Sequence, residues 1–94
     1  MRLLDSDLNL YRVFLTIYRT RNLTHAGEQL GVTQPAVSNA LSRLRTIYDD
    51  PLFVRHGKWM RPTLKTEQII PDVMQALQLL ADTLAPETSD QPSE

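Results

Sequence analysis

The stretch Thr33 to Arg45 reads Thr-Gln-Pro-Ala-Val-Ser-Asn-Ala-Leu-Ser-Arg-Leu-Arg, and it fits few structures other than a helix with two faces. Val37, Ala40, Leu41 and Leu44 recur three and four apart, so a helix gathers them into one apolar stripe. Thr33 suits the N-cap, where its hydroxyl accepts a backbone N–H that lacks a partner within the helix. Pro35 falls in the first turn, where a missing N–H costs little. The other face carries Gln34, Ser38, Asn39, Ser42 and Arg43, with neither Glu nor Lys. Those two residues ordinarily dress a helix that only meets solvent. Short hydroxyls, amides and a guanidinium suit hydrogen bonding to base edges inside a groove. The bland alternative is an ordinary amphipathic core helix, and the preceding residues weigh against it.

Leu23 to Val32 reads as a shorter helix, capped by Thr24 and ended by Gly31, whose missing Cβ suits the left-handed residue that closes a helix. Ala26 and Gly27 are small enough for a second helix to cross closely. Leu30, Val32 and Val37 supply apolar contacts that hold the two at a steep angle. Helix, glycine turn, helix is the helix-turn-helix arrangement, here over residues 23–42. The helix starts at Thr24 and Thr33 also present N–H groups that suit DNA phosphates.

Around this pair the chain builds a support. Asp7 caps a first helix from Leu8 to Thr20, whose apolar face is Leu8, Tyr11, Phe14, Leu15 and Tyr18. Asn22 is expected to take an irregular backbone angle between helices. Past Ile47 and Tyr48, Asp49-Asp50-Pro51 stops the third helix. Leu52-Phe53-Val54 and Trp59-Met60-Arg61 are short strands about a His56-Gly57-Lys58 turn, and Pro62 ends them. Such a hairpin is a wing. Arg55, Lys58 and Arg61 would line it for phosphate or minor-groove contact, while Phe53 belongs to the core.

Thr63 caps a last helix from Leu64 to about Leu84. Ile70, Val73, Leu77, Leu80 and Leu84 alternate three and four apart as a heptad seam, widened by Met74. That is more apolar surface than a small domain needs, so pairing with a second copy is its simplest use. Pro71 should kink the helix or divide it near Ile69–Ile70. The polar stretch 85–94 is expected to be disordered, as a tail or truncated hinge.

The formal net charge of −1 conceals a division. Residues 8–65 hold nine basic and three acidic residues, a net +6, and residues 66–94 hold six acids and no base. The basic body, not the total, governs attraction to phosphate. There is no cysteine, and the two histidines stand apart without ligand partners, so neither a disulfide nor a metal site is expected. No nucleophile elbow or phosphate-cradling loop is present, and no enzyme reading survives. The lack of cysteine suits a reducing cytoplasm, and no stretch is long and apolar enough to span a membrane.

Residues from about Asp7 to Thr63 resemble the N-terminal domain of LysR-type transcriptional regulators. The resemblance rests on Leu23-Thr24-His25-Ala26, on Leu30-Gly31-Val32-Thr33-Gln34-Pro35-Ala36-Val37-Ser38, on Leu44-Arg45 and on Asp50-Pro51-Leu52-Phe53-Val54-Arg55. It implies a mainly α fold: a winged helix-turn-helix of three helices and a two-stranded wing over 7–63, then a long linker helix over 64–84 that pairs across a dimer. It implies sequence-specific binding of double-stranded DNA by a homodimer on an interrupted palindrome, with tetramers possible in a full-length regulator. Thr24, Thr33, Gln34, Pro35, Ser38, Asn39, Ser42, Arg43, Arg55, Lys58 and Arg61 are the expected DNA-contacting residues. Ile70, Val73, Met74, Leu77, Leu80 and Leu84 are the expected dimer contacts. Two positions depart from the family pattern: Gly27 stands where alanine is usual, and Thr66 where glycine is. The family's effector domain has no counterpart here, so no cofactor or small-molecule ligand is expected in this piece. The competing expectation is a winged-helix module that docks on a protein through its last helix.

Overall fold

The computed structural model describes residues 7–84. The expected disordered tail, 85–94, lies outside the described residues. Four helices and a two-stranded antiparallel wing follow in the order α1 (Asn9–Thr20), α2 (Leu23–Leu30), α3 (Gln34–Tyr48), β1 (Phe53–His56), β2 (Trp59–Pro62) and α4 (Leu64–Thr83).

Helix α1 starts one residue later than the sequence pattern indicates. Asp7 is not its N-cap, which is Leu8 with no side-chain cap bond, although Asp7 Oδ1 accepts the Asn9 N–H at 2.9 Å just ahead of it. The buried face of α1 is rotated from the expected one. Leu10, Phe14, Leu15 and Ile17 are inside, Leu8 is exposed, and Tyr11 and Tyr18 sit at the rim. A tyrosine can bury its ring edge while its hydroxyl seeks a polar partner, so the rim suits it better than the centre. The Tyr11 and Tyr48 hydroxyls meet at 3.1 Å, tying α1 to α3. Burial, and then Tyr11, push the Tyr48 hydroxyl's pKa up.

The core gathers Phe14 and Ile17 of α1, Ala26 of α2, Val37, Leu41 and Leu44 of α3, the wing's Phe53 and Met60, and Ile70 and Val73 of α4. Phe14 and Phe53 pack edge to face with centroids 5.6 Å apart. Phe53 is thus core, as its sequence context indicates.

Two expectations about the helix entries are corrected. Thr24 is not the cap of α2. Asn22 is: its backbone is extended and its Oδ1 accepts the His25 N–H at 2.9 Å. Thr24 lies in the first turn instead. The irregular angle expected at Asn22 falls on Arg21 (φ 57°), because a cap needs extended geometry. Gly31 closes α2 at φ 73°. Gly27 does more than keep the helices close. A Cβ there would lie 2.8 Å from the Val32 carbonyl oxygen, so the turn between α2 and α3 folds back directly over it.

Helix α4 runs unbroken from Leu64 to Thr83 with Pro71 inside it, so it is not divided. Ile70 and Val73 are buried in this chain's own core, which corrects their assignment to an unpaired dimer seam. Leu77 is half-buried against the same core, whereas Met74, Leu79, Leu80 and Leu84 are exposed.

Candidate nucleic-acid interface

Local sequence builds α3 and then hands its outer face to solvent. Thr33 caps it, its hydroxyl accepting the Ala36 N–H at 3.2 Å, and Pro35 lies in the first turn. The C-terminal stop is Asp49 in the left-handed region (φ 52°). Val37, Ala40, Leu41 and Leu44 are buried, so the helix cannot rotate without exposing them. That fixes the remaining face outward. Gln34, Pro35, Asn39, Ser42 and Arg43 are exposed, and Ser38 is half-buried. Gln34 Nε2 donates to Ser38 Oγ at 3.1 Å, which settles the two side chains against one another. Thr33 and Thr24, at the starts of α3 and α2, are exposed as well.

The wing brings the expected basic residues out but divides them. Paired residues in an antiparallel ladder share a face. Arg55 pairs with Met60 and lies on the face that sends Phe53 and Met60 inward. Arg61 pairs with Val54 and lies on the outer face with His56 and Trp59. Lys58 sits in the turn between the strands. All three basic side chains are exposed. Arg61 Nη2 and His56 Nε2 lie 3.2 Å apart. The outer face also carries Trp59, half out in solvent, which residue-type reasoning passed over as a strand residue.

Three polar residues outside the expected DNA contacts prove to set the wing's place. Arg45 turns back from the end of α3, with Nε 2.7 Å from the Pro51 carbonyl and Nη2 2.7 Å from the Phe53 carbonyl. Asp50 Oδ2 accepts both the Leu52 N–H and the Thr63 hydroxyl at 2.8 Å. Thr66, fully buried, donates its hydroxyl to the Leu52 carbonyl at 2.6 Å. Apart from the local bond between Asp50 and Leu52, spacing along the chain gives no hint of these bonds, since they join separate segments. On the other side of the wing, the Arg21 carbonyl accepts the Met60 N–H at 2.8 Å. The Arg21 guanidinium covers the Tyr18 ring, and the Tyr18 hydroxyl donates to Glu67 of α4 at 2.7 Å. That carboxylate holds the phenol protonated and pushes its pKa up.

Among the described residues no group of three or more His, Cys, Asp or Glu is placed to hold a metal, and no helix is long and apolar enough to cross a membrane. The arrangement is an exposed, uncharged-to-basic helix face beside a basic hairpin, on a scaffold that holds both.

The profile of the family described as "Bacterial regulatory helix-turn-helix protein, lysR family" matches residues 8–67. The chain belongs to the LysR family. It is 46% identical over 78 residues to the HTH-type transcriptional regulator LeuO of Escherichia coli K12, covering 83% of this chain and 25% of that protein. Among solved structures it is similar to the probable transcriptional regulator PA0477 of Pseudomonas aeruginosa, with a TM-score of 0.83 and 43% identity over 87% of this chain and 28% of that one. The DNA-binding domain of CbnR, solved in complex with DNA, has the same fold, with a TM-score of 0.77 at 18% identity over 83% of this chain and 90% of that one. The LysR-family chain spans about a quarter of the length of the curated relatives it matches. Its family is one of transcription regulators, with no enzymatic family indicated.

Proposed function

We propose that this LysR-family chain is the DNA-contacting part of a bacterial transcription regulator, and that it binds double-stranded DNA as a homodimer on an interrupted palindrome. The observation that carries this reading is the outward face of α3, which is polar, free of Lys and Glu, and held by a buried stripe. In this reading α3 enters the major groove. Gln34, Pro35, Ser38, Asn39, Ser42 and Arg43 face the bases, with an amide of Gln34 or Asn39 suited to adenine and Arg43 suited to guanine or phosphate. The first turns of α2 and α3, at Thr24 and Thr33, meet phosphates. Arg55, Lys58 and Arg61 carry the backbone contacts of the wing. Likeness in fold to a domain solved on DNA supports the reading.

The homodimer rests on the far half of α4, where Met74, Leu80 and Leu84, with Leu79, leave apolar surface in water. Tetramers, and any response to a small molecule, belong to the length of a regulator that this chain does not span. A bacterial chromosome as partner places the protein in the cytoplasm.

The same exposed leucines favour a second reading, a module that docks on another protein. One experiment separates the two. Binding to a promoter-derived palindromic duplex is compared with binding to random DNA of equal length, under a salt titration, beside sedimentation of the free chain. A dimer that prefers the palindrome supports the DNA reading, and Asn39→Ala should then weaken palindrome binding by about 1–3 kcal/mol while random-DNA binding changes little. A stable dimer with no preference for any duplex moves the weight to the docking module.

A further inference from the structure

Leu52 is the one described residue that is neither glycine nor a helix cap and yet has a left-handed backbone, with φ at 63°. A branched side chain in that region is strained, and it persists only where the surroundings over-determine it. Here they do. The side chain is fully buried. Its N–H goes to Asp50 Oδ2 at 2.8 Å. Its carbonyl accepts twice, from the Thr63 N–H at 2.9 Å and from the Thr66 hydroxyl at 2.6 Å. Asp50 ends the α3 region, Leu52 is the root of the wing, and Thr63 and Thr66 open α4. One strained residue is therefore the point where recognition helix, wing and last helix are joined.

Of the groups that hold it, Thr66 has the most particular role. The Asp50 carboxylate also anchors the α4 cap, and the Thr63 N–H is backbone. The Thr66 hydroxyl belongs to the third residue of α4 and reaches out of the helix to the wing root. Asn22 and Thr33 show how little such a bond is needed merely to start a helix, since a single cap suffices for each. Thr63 already gives α4 that cap by accepting the Thr66 N–H at 3.2 Å. The bond from Thr66 to Leu52 is additional, and it ties the first turn of α4 to the wing root.

We propose that Thr66 is a positioning residue: its buried hydroxyl locks the angle between α4 and the wing root, and through α4 sets the half-site spacing that a dimer accepts. The spacing part rests on the dimeric DNA-binding reading; the locking part does not. In a two-fold dimer paired through α4, the angle at this joint is amplified along the helix into the separation of the two recognition helices.

The test uses two features of the chain. Trp59 is its single tryptophan and sits on the wing, and there is no native cysteine. An Ala76→Cys variant, exposed on α4, takes one thiol-reactive acceptor dye. Time-resolved energy transfer from Trp59 then reports the distance distribution between wing and helix. It is measured with Thr66 intact and with Thr66→Val or Thr66→Ser, and the unlabelled proteins are assayed on palindromes of graded spacing. The parent and Thr66→Ser should give one narrow distribution and one preferred spacing. Thr66→Val keeps the volume and lacks the hydroxyl, so it should broaden the distribution and cut the preference over neighbouring spacings by about fivefold, as expected for one neutral hydrogen bond. If Thr66→Val does not melt cooperatively, Thr66→Ala carries the same expectation. An unchanged distribution in the variant without the hydroxyl overturns the lock, as does a broadened one in Thr66→Ser. A broadened distribution with an unchanged spacing preference overturns the spacing role. Absence of any duplex preference in the parent overturns the DNA reading and the spacing role with it, while the energy-transfer result still decides the lock.

Discussion

The two halves of α4 carry the same kind of residue at the same spacing and meet opposite environments. In the first half, Thr66, Ile70 and Val73 are buried against α1 and the wing. In the second, Leu80 is 52% exposed and Leu84 84% exposed. Periodicity reports that a helix has an apolar stripe; it does not report what covers the stripe, or whether one neighbour covers all of it. Leu77 is the last residue of α4 packed against the core, and Gln78 and Ala81 still border a groove with Leu15 and Arg19 of α1. Beyond that point the helix projects from the body, which gives the molecule its long axis of 53 Å against 30 and 21 Å.

The sharpest way to test this division is to truncate one side chain in each half. Ile70→Ala should cost about 2–5 kcal/mol of folding stability, because it empties a filled core site. Urea denaturation checks it, and a loss under 1 kcal/mol would mean that the first half of α4 is not core. Pro71→Ala should act in the opposite direction. It restores a backbone bond inside the helix and should raise stability by about 1–3 kcal/mol. A fall in melting temperature would show that the packing of Ile70 and Val73 needs a bend at the proline. The smallest effect on folding is expected at the far end. Leu80→Glu, measured on dilute monomer, should change stability by less than about 0.5 kcal/mol. If α4 pairs as proposed, the same variant should abolish the dimer in sedimentation. A large loss of monomer stability, or an intact dimer, would erase the distinction between the halves.

Features that the sequence makes legible are those written within a few residues. Thr33 and Thr63 cap the helices that follow them, Gly31 closes α2, and Asp49-Asp50-Pro51 ends α3, each through groups two to five residues apart. The outward face of α3 follows from its buried stripe for the same reason. Features that depend on another element are not legible in this way. Helix α1 packs against α2, α3 and α4, and the face it turns to them buries Leu10 and Ile17 and leaves Leu8 exposed. Thr24 was expected to cap α2, but the cap is Asn22, the extended residue that follows directly on the left-handed Arg21. Thr66 was visible as a departure from the family pattern, but its partner, Leu52, lies fourteen residues back and is identified only by the fold.

Arg45 illustrates how a fold alters a charge inventory. Its guanidinium is engaged by the Pro51 and Phe53 carbonyls, and Arg21 lies on Tyr18, so two of the nine basic residues of the body are turned to internal use. Binding to a polyanion displaces its condensed cations only where a basic side chain reaches a phosphate, with a logarithmic salt slope of about −0.9 for each phosphate neutralised. If all nine basic residues of each protomer reached phosphate, a dimer would have a slope of about −16. On the proposed reading, in which only the four exposed on α3 and the wing, Arg43, Arg55, Lys58 and Arg61, reach phosphate, the slope would be about −7. If the chain binds DNA as proposed, it would release its site over a gentler range of ionic strength than its composition implies, and would retain more affinity as cellular salt rises.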